Sequence, residues 1–121
     1  MINICAMTAD EAYKKFYNAS QQDFYVAYWR GKRCVDEDAF FREASASFQF
    51  PDYFGENWPA FDECICDLDW LKFQRIFLLV DNFNWIFNGN KVLQNRLIEY
   101  LTIMDKYWQQ EGVDIEIWLI N

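Results

Sequence analysis

The chain contains no histidine, two prolines and four glycines, and its 11 basic residues are outnumbered by 19 acidic ones. Without histidine, the usual general base and the Ser-His and Cys-His nucleophile pairs are excluded. The glycines form no phosphate-cradling loop, and no HExxH or calcium-loop pattern occurs, which argues against nucleotide, zincin and EF-hand chemistry. Cys64-x-Cys66 has no second pair, so no structural zinc site is expected. No apolar run is long enough to span a bilayer, and no leader with a basic start and an apolar stretch is seen. We therefore expect a cytoplasmic protein without membrane contact, with reduced thiols at Cys5, Cys34, Cys64 and Cys66 and no cofactor or metal. The net charge of −8 opposes direct nucleic acid binding, which needs clustered Lys and Arg. The same field draws in basic proteins and speeds their encounter.

What is present is aromatic. Twelve Phe, seven Tyr and six Trp in 121 residues exceed what one core of this size requires. Tyr and Trp with one wet edge are interface residues. The length predicts a single domain over 1–121, with 1–20 as a helical extension. A helix over 8–19 is capped by Thr8 and carries Ala12, Phe16 and Ala19 on one side. Phe24 to Trp29 reads as an inner strand covered on both faces. Asp36 caps a helix over 37–47 with Phe40, Ala44 and Phe48 as its buried stripe. Asn57 caps the next helix, in which Trp58, Phe61, Ile65 and Leu68 face the core and Pro59 is tolerated in the first turn. Ile76 to Val80 is a central strand, and 81–89 is a loop with one short helical turn. A long helix over 91–110 ends at Gly112, and Val113 to Leu119 alternates as a final strand. Strand, helices, strand, helix, strand is the order of a small α/β domain whose crossovers permit parallel pairing.

The densest chemistry lies between Phe50 and Leu71, where six carboxylates occur with no basic residue, threaded through Tyr53, Phe54, Trp58, Phe61 and Trp70. Asp62 and Glu63 are adjacent, about a third of a helical turn apart, so they do not clamp one substrate atom as paired glycosidase acids do. No enzyme activity is expected. Either Asp62 or Glu63 can be the group presented to a partner. Asp67 and Asp69 are placed to steer a basic partner's approach.

The run Tyr53-Phe54-Gly55-Glu56-Asn57-Trp58-Pro59-Ala60-Phe61-Asp62-Glu63-Cys64, followed by Asp67-Leu68-Asp69-Trp70-Leu71, resembles the barstar family of ribonuclease inhibitors. The resemblance covers about residues 23 to 120 and leaves 1–20 without a counterpart. It implies a small three-stranded parallel sheet packed on helices, with the second helix and its preceding loop plugging a nuclease active site. It also implies that Tyr53 matches a contact tyrosine, Asn57 the helix-entry asparagine, and Glu63 an aspartate that occupies the phosphate site. Pro59 stands where the founding member has an aspartate, and Tyr107 where it has a glutamate on the last helix.

The partner-binding set expected from residues and resemblance together is Tyr53, Phe54, Glu56, Pro59, Asp62, Glu63, Asp67 and Tyr107, with Gly55, Asn57 and Trp58 holding the loop. The expected partner is a basic ribonuclease or nuclease toxin, met by a chain that is monomeric when free. An adaptor domain of the same fold with a different target is the alternative. The inhibitor reading requires Glu63 and its acidic neighbours to be exposed and unpaired with the chain's own bases.

Overall fold

The computed structural model describes residues 1–4 and 7–121; the thiol expected at Cys5 lies outside them. Four strands, β1 (Ile2–Ile4), β2 (Phe24–Arg30), β3 (Arg75–Asp81) and β4 (Asp114–Leu119), form one parallel sheet in the order β1-β4-β3-β2. Four helices connect or flank them: α1 (Ala9–Ser20), α2 (Glu37–Phe48), α3 (Trp58–Ile65) and α4 (Lys91–Gln110). The expected three-stranded sheet is thus corrected to four strands. The added strand lies inside the segment read as purely helical: Ile2, Asn3 and Ile4 pair with Ile117, Trp118 and Leu119. Three residues are too few for a period-two pattern to register, and the pairing is made by backbone groups that carry no sequence signature.

Because β1 and β2 occupy opposite edges, α1 must cross a whole face of the sheet between them. Its Ala12 and Ala19 pack there with Phe77, Leu79, Trp118 and Ile120, bordered by Phe16, Phe24, Val26 and Tyr28. The opposite face carries the main core, in which Trp29, Ile76, Leu78, Val80, Ile115 and Ile117 meet Phe40, Phe48, Phe61, Ile65, Leu97 and Leu101. The result is three layers, which explains β2. This strand is covered on both faces as expected, yet it is an edge strand and not an inner one, because helices on both sides make an edge read as apolar as a centre.

The caps at Thr8, Asp36 and Asn57 form as expected, their side chains accepting from the amides of Glu11, Ala39 and Ala60. α4 spans its expected range and ends before Gly112, which takes φ +78°. Gly31 has a different reason to be glycine: a Cβ there would lie 2.2 Å from the carbonyl oxygen of Asp81. Among the described residues, no helix is long and apolar enough to cross a membrane.

Candidate functional site

α3 and the segments on either side of it are held from three directions by tryptophan indoles. Trp58, the first residue of α3, donates to the Glu37 carboxylate at the start of α2, at 2.6 Å. Beyond the helix, Trp70 donates to the Phe48 carbonyl at 2.8 Å, and Trp108 of α4 donates to the Ile65 carbonyl at 2.8 Å. Each bond is worth about 1 kcal/mol net, and each satisfies a half-buried or buried N–H that would otherwise be costly. Ring packing adds to them: Trp58 stacks on Tyr100 of α4 with centroids 5.3 Å apart, and Phe54 meets Phe50 at 4.8 Å and Phe41 at 5.9 Å.

The backbone is fixed as firmly. Asn57 accepts from Ala60 N–H at 2.9 Å and donates to the Gly55 carbonyl at 3.2 Å. The left-handed residue of this loop is Glu56, at φ +51°, and not Gly55. Gly55 is small for a spatial reason, since an added Cβ would lie 3.0 Å from the side-chain Nδ2 of Asn57. α3 ends at Ile65, earlier than the apolar stripe implied. Leu68 still reaches the core, fully buried, because it too takes a left-handed conformation, at φ +52°. A bulky residue there is uncommon and is sustained only by its surroundings. With Leu68 turned inward, Asp67 and Asp69 on either side remain exposed.

On this scaffold Glu56, Pro59, Glu63, Asp67 and Asp69 are exposed, and Tyr53 is 70% exposed. Among the described residues the ion pairs are those of the Met1 ammonium with Asp105, Arg30 with Glu43 and Arg75 with Asp114, so no carboxylate between Phe50 and Leu71 is paired. Asp62 and Glu63 are distinguished by position. Glu63 projects into solvent, whereas Asp62 is half-buried on the helix flank, its Oδ1 covered and without a hydrogen-bond partner.

Tyr53 and Tyr107 converge on this acidic surface from different elements. Although the Tyr53 ring is largely exposed, its phenol is raised above its ordinary value by desolvation and then by the charges of Asp67, Asp69 and Glu63 and by nearby Cys64. Tyr107, half-buried against Trp108, is raised by desolvation and then by Glu111, Cys66 and Asp67. Asp67 therefore acts on both tyrosines. Phe54 and Trp58 lie against the core and lock the loop to the helix. Absent from the expected site is Tyr100, which flanks α3 from α4 through its contacts with Trp58 and Phe61. A signal was available, because Tyr100 stands beside Leu101 at the margin of the apolar face of α4.

The family model for Barstar (barnase inhibitor) matches residues 24–120. The chain belongs to the barstar family. No curated protein matches it significantly. Family membership carries a ribonuclease-inhibitor type of function in general terms. The matched span begins after α1, so the edge strand β1 and the helix α1, which covers the second sheet face, precede the family region. Cys34, Cys64 and Cys66 carry free thiols, and among the described residues no group of three or more Cys, Asp or Glu side chains could hold a metal ion.

Proposed function

We propose that this barstar-family protein is an immunity protein that inhibits a basic ribonuclease or related toxin by seating its Tyr53–Asn57 loop and Glu63 in the enzyme's cationic cleft. One observation carries the reading: Glu63, Asp67 and Asp69 face solvent with no basic partner of their own, on a segment pinned by three indole hydrogen bonds. A carboxylate entering a site built for phosphate gains charge-assisted hydrogen bonds that a solvated ion pair does not. A loop ordered before contact loses less entropy on docking, which favours tight binding by a small surface. No bond is made or broken; the inhibitor occupies the place of the RNA backbone. A producing cell would keep it in the cytoplasm to survive its own toxin before export.

Titration against a panel of purified basic microbial ribonucleases tests the proposal. Stoichiometric loss of RNA cleavage with at least one enzyme is expected. Binding that leaves cleavage intact would overturn inhibition in favour of an adaptor role.

A further inference from the structure

We infer that the loop after β3 is a second binding site, sharing no residue with the acidic surface, which takes an unpaired nucleobase together with its phosphate. The stretch 82–98 contains Lys91 and Arg96 and no acidic residue, in a chain of net charge −8. Its first half, Phe83–Gly89, lies beyond the C-terminal ends of the parallel strands, where open α/β sheets hold their ligands. The loop is braced from within. The buried Gln94 amide donates to the carbonyls of Phe83, Asn84 and Ile86, at 3.4, 3.3 and 2.9 Å, and Phe87 N–H reaches the Cys34 carbonyl at 2.7 Å. Asn82, Phe87 and Asn88 take positive φ, and a bulky residue such as Phe87 holds that conformation only where its surroundings impose it. Phe83, Ile86 and Phe87 are buried by this arrangement, whereas Trp85 among them is 56% exposed. An indole displayed on a braced loop is a platform formed before any ligand arrives.

The surroundings of the indole select the ligand. The Lys32 ammonium stands 5.0 Å from the Trp85 ring centre, and Lys32, Arg33 and Lys91 are exposed and form no ion pair among the described residues. The acids nearest in sequence are spent within the fold, since Asp36 caps α2 and Asp81 is buried among its donors. Beside Trp85, a recess of about 270 Å³ is enclosed by Asn84, Asn88 and Gly89. Gly89, at φ +79°, leaves one wall without a side chain. Asn84 and Asn88 are exposed there, and a carboxamide offers a donor and an acceptor side by side to the edge of a base. A base can therefore stack on Trp85, be read at its edge by an asparagine, and place its phosphate near Lys32. A carboxylate-rich peptide would meet the cations and leave the flat recess unfilled. The overall charge opposes a long polyanion wrapped around the molecule, but charges are screened beyond about 8 Å at physiological salt, so a local cationic patch still acts on one nucleotide.

Fluorescence anisotropy of labelled hexa-adenylate RNA, at two or more salt concentrations, tests the site, with adenosine monophosphate and inorganic pyrophosphate as competitors. Saturable binding at low salt is expected, weakening as salt rises. Trp85→Leu should weaken it about tenfold, and Lys32→Gln severalfold with a shallower salt slope. Asn88→Asp suits the left-handed backbone and should weaken binding by placing a negative charge in the recess. Thermal melts establish that each variant folds. Competition by the monophosphate as strong as by unlabelled hexa-adenylate would assign the site to a free nucleotide, and weaker competition would assign it to single-stranded RNA; either result upholds the base site. Pyrophosphate competing as well as the monophosphate, or binding indifferent to Trp85→Leu and Asn88→Asp, would overturn it. So would a parent chain that binds neither RNA nor nucleotide at low salt, or that binds a glutamate-rich peptide in their place. Ribonuclease inhibition is read separately, at Glu63, so its failure and the failure of this site are distinguishable.

Discussion

Two sets of carboxylates in this molecule meet opposite fates. At the ends of β2 and β3, Asp81 is 5% exposed and fully engaged: it accepts from the hydroxyls of Tyr13, at 2.6 Å, and Tyr28, and from Gly31 N–H at 3.0 Å. Nearby, Glu43 takes a bidentate pair from Arg30, at 2.8 and 3.0 Å, and the Arg30 amide as well. Burial alone would raise both pKa values, but these hydrogen bonds, and for Glu43 the charge of Arg30, outweigh it and hold both below their ordinary values. Around α3, by contrast, Glu63, Asp67 and Asp69 have no such partners. The first set joins layers, with Tyr13 tying α1 to the sheet. The second is free to act on something outside. Residue type is the same in both, and the supply of donors makes the difference.

The comparison can be broken most forcefully at Asp81. Asp81→Ala leaves two hydroxyls and an amide without their acceptor and should cost about 3 kcal/mol, read by urea denaturation. Since the folded pKa values of Asp81 and Glu43 are depressed, their contribution is complete above the ordinary carboxylate range and is lost as pH falls through the folded values. Asp81→Asn should accordingly flatten the acid limb of stability below about pH 4.

The next effect belongs to the free set. Glu63→Ala should lose about 2–5 kcal/mol of ribonuclease binding, measured as a faster dissociation rate. Folding stability should stay within about 0.5 kcal/mol. Equal losses of binding and stability would mean that Glu63 is structural. Asp67→Asn combined with Asp69→Asn should slow association several-fold at low salt, an effect that fades as ionic strength rises. The smallest change is local: Asp67→Asn should bring the Tyr53 phenol down toward 10.0, seen in an ultraviolet titration. A Tyr53 that does not respond would separate it from the acidic surface.

Much of the fold was legible because its signals are local. The caps at Asp36 and Asn57, the Phe40–Ala44–Phe48 stripe and the bounds of α4 follow from periodicity and short-range hydrogen bonding. Within the candidate site, the carboxylates and Tyr53 were visible as an acidic, aromatic run without counter-charges. The left-handed turn at Leu68 was not, since a leucine there has no local reason to adopt it. The approach of Tyr107 to Asp67 was implied by the family resemblance and not by the residues themselves, because groups so distant in the chain are brought together only by helix packing.

The sequence by itself determined the parallel α/β order, the helix starts and the excess of negative charge, all of which rest on side-chain type and spacing. Tertiary structure alone decided that β1 adds a fourth strand, that β2 is an edge, and which carboxylates stay free. Strand pairing is a backbone property, and an acid is satisfied or left open by donors from distant segments, so neither outcome is written in any short stretch of the chain.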